Sequence, residues 1–357
     1  MSDNNRDSNM ENFQIAVLIP CYNGAKYLSE ALTSILQQSH RNICIMLLDD
    51  GSTDDTWQIA TSFAAADKRL QLYQHPNNLG IIASRNKLLE LCNADFAAWM
   101  DADDIAHPQR LEKQLQFMLH HPDYVACTCD YIRQESDLNN EININSKMLT
   151  REALLFYNFV LNPGSFFNVV ACKQKQIRFR TWISGASDFL FWVEMAKVGK
   201  IGVVPECLMT YRIHSEQETQ GQKVRQLTGC LEIVQAQLAE FNCAAEQQDL
   251  ARLLTYPAQI LKLEFCYSHL QRSEQIIRSI LANLPDSEFD RDKVKGLLIG
   301  MFRSLARRLG LRGFWRFLVL FKVAGLRQCQ NFGINLLGAC FNTDIKRLVV
   351  AFDRRKN

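Results

Sequence analysis

Four times within its first 120 residues the chain passes from a short, unbroken apolar run, through a polar turn, into a segment whose apolar residues recur at helical spacing. The runs are "IAVLIP" (Ile15 to Pro20), "ICIMLL" (Ile43 to Leu48), "RLQLYQH" (Arg69 to His75) and "FAAWM" (Phe96 to Met100). After the first, Leu28, Leu32, Ile35 and Leu36 fall on one helical face. The second is followed by "GSTD" and a helix expected from Asp54 or Asp55, the third by "IIASRNKLLELC", and the fourth by a helix over Pro108 to His120 with proline in its first turn. Apolar runs of this length read as strands buried on both faces, and strands alternating with helices pair in parallel through crossover connections. The expected fold is therefore α/β, with a binding crevice beyond the carboxyl ends of the strands.

Beyond Asp123 the pattern loosens. The stretch "RQESDLNNEININS" reads as a loop, a helix is expected from Ser187 or Asp188 to Lys197 with Gly199 as its stop, and from Gly221 onward the spacing is helical. Residues 1–13 are polar and read as disordered. At 357 residues and 47% hydrophobic content the chain can bury a large core.

The formal charge of +2 conceals an asymmetry. Residues 291–357 hold fifteen Lys and Arg against Asp292, Asp344 and Asp353, which leaves the preceding body acidic. In "GLLIGMFRSLARRLG" the residues Leu298, Phe302, Leu305 and Leu309 share one helical face while Arg303 and Arg307 lie on the other, and Gly310 and Gly313 precede the aromatic, basic run "FWRFLVLFK". Such a helix fits an anionic membrane surface; equally, its apolar face can pack on the catalytic domain and leave the arginines solvated. No nucleic-acid-binding motif accompanies the charge. No apolar run reaches the ~20 residues of a spanning helix. Twelve cysteines without a signal-peptide pattern point to a reducing, cytoplasmic compartment, and their spacing forms no zinc framework.

The strand ends carry the chemistry. "WMDADD" places Asp101, Asp103 and Asp104 within four residues directly after the fourth strand. Three carboxylates this close repel one another, and protonation or a cation must relieve the repulsion. A hard divalent ion, Mn²⁺ or Mg²⁺, takes one or two carboxylates and shares its remaining shell with substrate phosphates. Asp103 and Asp104 can alternatively cap the turn that follows.

Five segments in order, "VLIPCYNGAKYLSEALTSILQQS", "DDGSTDDT", "NNLGIIASRN", "DADDIAHPQRLEKQ" and "ASDFLFWVEMAKVGKIGVVPECLMTYRIH", resemble those of the family 2 glycosyltransferases over residues 14–220. The resemblance implies the GT-A fold, a Rossmann-like, mostly parallel central sheet flanked by helices, followed here by a mainly α-helical region over residues 221–357. It implies a nucleotide-sugar donor held by Pro20, Tyr22, Asn23, Asp50, Arg85, Asp101, Ala102, Asp103 and His214. Tyr22 would stack on the base, and Asp50 would accept a hydrogen bond from a ring N–H such as that of uracil. Asp101 and Asp103 match the family's metal-binding D-x-D, and in "YRIH" the resemblance sets Arg212 and His214 near the diphosphate or metal, His214 being a third metal candidate whose plain alternative is a surface histidine. Arg85 and Asn86 match an element near the donor and otherwise read as an exposed helix face.

The family's catalytic base, usually the acid of a Glu-Asp pair, falls on Asp188, with Ser187 in place of the first acid. Asp188 would deprotonate an acceptor hydroxyl for an inverting displacement; read locally, Ser187 and Asp188 simply cap the following helix. The expected activity is metal-dependent transfer of a sugar, from a UDP-sugar in the first instance, to a glycan or glycolipid in surface-polysaccharide synthesis at the inner face of the cytoplasmic membrane. A sugar nucleotidyltransferase would carry a "GGxGTRL"-like loop where this chain has "PCYNGAKYL". A binding subunit without activity would have no need of Asp50, Asp101, Asp103 and Asp188 together.

Overall fold

The computed structural model describes residues 10–135, 138–142, 151–183, 185–214, 222–254, 263–264 and 266–308. The chain divides into two compact units, Met1–Gln222 and Lys223–Asn357. The first unit contains β1 (Ile15–Cys21), α1 (Ala25–Leu36), β2 (Ile43–Asp49), α2 (Thr56–Ala66), β3 (Leu70–Gln74), α3 (Ile81–Leu91), β4 (Phe96–Trp99), β5 (Ile105–Ala106), α4 (Arg110–His120), β6 (Tyr124–Glu135), β7 (Leu138–Ile142), α5 (Arg151–Leu154), β8 (Phe166–Asn168), α6 (Val169–Gln174), α7 (Ser187–Ala196) and β9 (Lys200–Ile213). Its sheet runs β3-β2-β1-β4-β8-β6-β9-β5, with β7 paired on β6.

The four strands expected from the apolar runs form a parallel block. Every residue of β1 is buried, which a strand covered on both faces requires. It pairs with β2 along its full length, Ile15↔Ile43 to Cys21↔Asp49, but with β4 only from Ile15↔Phe96 to Leu18↔Trp99. β1 therefore outruns β4, and the chain leaves β1, β2, β3 and β4 along one edge of the sheet at Tyr22, Asp50, His75 and Met100.

The other half of the sheet is less regular. β8 is antiparallel to β4 and β6, while the long β6 and β9 pair in parallel through several register shifts. Part of the polar stretch expected as a loop is strand instead. Arg133–Glu135 and Leu138–Ile142 pair as a hairpin, Arg133↔Asn140 and Glu135↔Leu138. An exposed edge hairpin is held by its backbone ladder and needs no apolar alternation, so periodicity did not mark it.

Helix boundaries shift slightly for identifiable reasons. α2 begins at Thr56, not at Asp54 or Asp55, because the Asp54 carboxylate accepts from Thr56 N (3.1 Å), Thr56 Oγ1 (2.5 Å) and Ala25 N (3.1 Å). It thus staples the turn to the start of α1. α4 starts at Arg110, since Pro108 offers its carbonyl to Ser39 N. At the amino end, Met10–Asn12 form a 3-10 turn and Phe13 packs edge-on against Phe96, so order begins before residue 14.

An aromatic cluster joins the strand that carries the acids to the helix that carries Asp188. Phe179 stacks on Phe191 of α7 at 4.6 Å and meets Trp99 of β4 edge-on at 5.4 Å; Phe167 of β8 contacts Trp99, Phe191 and Trp192. Each such pair contributes about 0.5–1.5 kcal/mol beyond the area it buries. The cluster therefore ties the strand that leads to Asp101 to the helix that carries Asp188.

Gly51 is the tightest point of the strand-end loops. Its φ is +71°, and a Cβ there would lie 2.6 Å from the carbonyl carbon of Asn77. Gly51→Ala should cost roughly 1–3 kcal/mol, read as a lower melting temperature; an unchanged melt would show that the turn relaxes freely.

The described residues of the second unit are helical: α8 (Lys223–Glu240), α9 (Gln247–Leu254), α10 (Tyr267–Asn283) and α11 (Arg291–Arg308). Leu298, Phe302 and Leu305 of the expected amphipathic stripe are buried, in a helix that packs on α9 and α10. Leu309 and the run "FWRFLVLFK" lie outside the described residues. No disulfide joins the described cysteines, and no helix among the described residues is long and apolar enough to cross a membrane.

Candidate active site

The loops after β1 and β2 are laced together. Asn23, at φ +49°, donates its N–H to Ser52 Oγ (2.8 Å), and its side-chain carbonyl accepts from Thr53 N (2.9 Å). Gly24 N donates to Thr56 Oγ1 at 2.8 Å. Pro20 is buried in β1 opposite Leu48, so it shapes the strand end from within. Tyr22, by contrast, is 48% exposed, with its ring open to a ligand.

Asp50 is buried and works mainly inside the protein. Its Oδ1 accepts from Leu79 N (3.0 Å) and meets His75 Nδ1 (2.8 Å), while Oδ2 accepts from Gly80 N (2.8 Å). A carboxylate offers about four lone-pair positions, so one is left on Oδ2 for a donor from a ligand. The three bonds pull the loop over residues 75–80 against the strand ends and deliver α3, with Arg85, toward the acids.

At the end of β4 a ligand atom from each of Asp101, Asp103 and Asp104 falls within 4.8 Å of the others. Asp104 is fully buried; its Oδ1 accepts from Arg212 N (3.0 Å), and Oδ2 has no hydrogen-bond partner among the described residues. Asp104 thus holds β9 against the acid loop, and its carboxylate caps no turn among the described residues. His214 Nε2 lies 2.9 Å from Asp103 Oδ2, and its ring packs on Tyr27 at 4.6 Å. The Arg212 guanidinium lies over the same Tyr27 ring and bonds Glu30 Oε2 at 2.5 Å, so α1 supports the end of β9. Ala102, almost fully buried, leaves the two flanking carboxylates room to approach each other.

Arg85 does not lie on an exposed helix face. Its guanidinium stacks over Phe179 at 5.3 Å and reaches within 3.6 Å of Asp101 Oδ1. Its neighbour Asn86 clamps the backbone of Phe179 from both sides, donating to the carbonyl (2.8 Å) and accepting from the N–H (2.9 Å). Asp188, in the first turn of α7, accepts from Asn158 Nδ2 at 3.1 Å. The Asn158 carbonyl is taken by Val160 N (3.1 Å), which fixes the amide orientation and leaves Asp188 Oδ1 without that constraint.

The electrostatics follow from this crowding. Burial pushes the Asp101 carboxyl up to about 6, with Arg85 opposing and Asp103 and Asp188 adding to the shift. Burial, reinforced by Asp103 and Asp101, lifts Asp104 well above the carboxylate range. Burial also raises Asp188, against the pull of Arg85. A cluster that resists ionisation, with one buried oxygen unpartnered and an imidazole at its rim, fits a hard divalent cation. Asp101, Asp103 and Asp104 each offer a ligand atom for such an ion, with His214 at Asp103.

The structure thus gathers Asp101, Asp103, His214, Arg85 and Asp188 around one acid loop, with Tyr22, Asn23 and Asp50 along the same sheet edge. Sequence reasoning missed Tyr27, Glu30, His75, Arg110 and Asn158; Arg212, which the resemblance sets near the diphosphate or metal, bonds Glu30 and lies over Tyr27. Arg110 had left a sign: it shares the buried face of α4 with Leu111, Gln114, Leu115 and Met118, a place where a charged residue stays only when satisfied.

This sheet, with its acids at the strand ends, is the GT-A fold, and the protein is a glycosyltransferase. The Glycosyl transferase family 2 model matches residues 16–175. An uncharacterized glycosyltransferase of Haemophilus influenzae is 31% identical over 223 residues, covering 58% of this chain and 68% of its own length; the chain belongs to glycosyltransferase family 2. Two solved structures share the fold. Staphylococcus aureus TarS, in complex with UDP-GlcNAc, is 16% identical with a TM-score of 0.57 over 87% of this chain and 89% of its own. The Pyrobaculum calidifontis mannosyltransferase PcManGT, in complex with GDP-Man and Mn²⁺, is 13% identical with a TM-score of 0.51 over 94% and 86%. Asp188 and His214 lie beyond the stretch that the family model matches.

Proposed function

We propose that this glycosyltransferase moves a sugar from a UDP-sugar to a hydroxyl of a glycan or glycolipid, with inversion and with Mn²⁺ or Mg²⁺ bound at Asp101, Asp103 and His214. The observation that carries the reading is the meeting of the three-carboxylate loop with Arg85 and Asp188. Tyr22 would stack on the base, Asn23 would order the loop beneath it, and the remaining Oδ2 position of Asp50 would accept from the uracil N3–H. Arg85 would balance charge between Asp101 and the diphosphate. Asp188 would take the acceptor proton, its carboxylate held by Asn158, as the acceptor oxygen attacks the anomeric carbon opposite the leaving group.

The UDP-GlcNAc in complex with TarS and the GDP-Man and Mn²⁺ in complex with PcManGT support this donor chemistry. A putative teichuronic acid biosynthesis glycosyltransferase of Bacillus subtilis, TuaG, 27% identical over 56% of this chain and 79% of its own, supports placing the reaction in surface-polysaccharide synthesis. Work at the cytoplasmic membrane face belongs to the same proposal. Since α11 spends Leu298, Phe302 and Leu305 on the helical unit, contact with anionic lipid would fall to the cationic stretch beyond it.

The test is a screen of UDP-, GDP- and dTDP-sugars with Mn²⁺ or Mg²⁺, read by thermal shift and by sugar hydrolysis. A UDP-sugar with metal at 100 times its Kd should stabilise the fold by about 2.7 kcal/mol, and UDP without metal by much less. Stabilisation by no nucleotide under either condition rejects the reading.

A further inference from the structure

We propose that Tyr27 is a positioning residue of the donor site, whose ring aims His214 and Arg212 at the acid loop. The assignment rests on reading that loop as the place of the metal and the diphosphate.

An imidazole beside a metal is ordinarily oriented by a hydrogen bond from its second nitrogen to a carboxylate or a backbone carbonyl. His214 has no such bond. Its Nε2 lies 2.9 Å from Asp103 Oδ2, while Nδ1 is buried and has no hydrogen-bond partner among the described residues. What the ring has instead is Tyr27, with centroids 4.6 Å apart and planes inclined by 34°. The terminal torsion of a histidine is broad, so the aromatic contact takes over the orienting role of the missing hydrogen bond.

Arg212 and His214 straddle the end of β9, and side chains two apart on a strand share a face. One ring therefore serves both. The Arg212 guanidinium carbon lies 5.3 Å from the Tyr27 centroid, and Glu30, three residues further along α1, takes Nη2. The backbone beneath the ring is tied down in turn: Tyr27 N donates to the Gly24 carbonyl (3.0 Å), Gly24 N to Thr56 Oγ1 (2.8 Å) and Ala25 N to Asp54 Oδ2 (3.1 Å). No described residue hydrogen-bonds the Tyr27 hydroxyl, so the role belongs to the ring.

The test measures the affinity of UDP and of uridine by calorimetry, with and without Mn²⁺, for the full chain, Y27F, Y27L, H214A and the Y27L/H214A double variant. In Y27L the Mn²⁺-dependent affinity for UDP should fall about tenfold. Y27F should stay within about twofold, and uridine, which has no diphosphate, should bind the full chain, Y27F and Y27L alike. Where His214 is already alanine, Y27L should cost only about threefold, the part that acts through Arg212. Undiminished UDP binding in Y27L, an equal loss in Y27F, or losses from Y27L and H214A that simply add overturns the role. Equal loss of uridine and UDP in Y27L, repeated in Y27M, makes the ring general packing and overturns it as well. Absence of Mn²⁺-dependent UDP binding by the unaltered chain is a different failure: it overturns the metal and donor reading itself, and this assignment with it.

Discussion

Asp188→Asn should lower sugar transfer by about 10³-fold, the scale of a lost general base, while donor affinity stays within about twofold of the unaltered protein. The substitution keeps the shape of the side chain and the first turn of α7, and an amide oxygen can still accept from Asn158 Nδ2. It removes only the group that receives the acceptor proton. Equal losses of transfer and of donor affinity would reject the role. The same change should stabilise the fold at neutral pH. Burial raises the Asp188 carboxyl, so the folded state retains a proton that the unfolded chain releases near 3.8, and stability falls as pH rises through the folded value. Asn carries no such penalty. The melting temperature of Asp188→Asn should exceed that of the unaltered protein at pH 8, with the gap closing as pH falls toward 4. Transfer by the unaltered enzyme should decline on the acid side at a pH above the ordinary carboxylate range, because the base must be ionised to act.

The parallel half of the sheet was legible because strands buried on both faces must be apolar throughout: "IAVLIP" and "FAAWM" leave little choice, and their carboxyl ends direct Tyr22, Asp50 and Asp101 to one edge. The antiparallel half was not. β8 has three residues, and the β6–β7 hairpin is polar, so both depend on partners that only the assembled sheet supplies. The site divides in the same way. Acids grouped at a strand end announce themselves by mutual repulsion, whereas the residues that aim them are contacts across long stretches of chain. Arg212 reaches Asp104 and Glu30, Asn158 reaches Asp188, and Asn86 reaches Phe179. Local pattern carries no trace of such pairings. Asp50 shows the opposite hazard: the resemblance names a ligand contact, and the structure adds three internal bonds that a ligand must share.

Arg110→Met should destabilise the first unit by about 3–5 kcal/mol, the scale of several buried acceptors losing their donor at once, read by urea or thermal melts. Arg110 has no exposed surface, and its fork is fully used. Nη2 donates to the carbonyls of Trp99 (2.8 Å) and Ser165 (3.1 Å), Nε to Gln114 Oε1 (3.0 Å), and Nη1 faces the sulfurs of Met209 (3.0 Å) and Met100 (3.6 Å). Burial lowers its pKa, with Asp104 and Asp101 among the groups opposing that shift, and a guanidinium stays charged there. Methionine fills much of the volume but leaves the Trp99 carbonyl without the donor that holds it, at a cost of about 1–3 kcal/mol for a buried acceptor. Arg110→Lys separates charge from geometry: it keeps the positive charge behind the acid loop but cannot span both carbonyls and Gln114 at once. If geometry dominates, Lys rescues little of the lost stability. The Trp99 carbonyl closes β4, one residue before Met100 and two before Asp101, so both variants should lose transfer even at temperatures where they remain folded. A melt of Arg110→Met within a degree of the unaltered protein, with transfer intact, would show that the strand end holds its shape without the guanidinium.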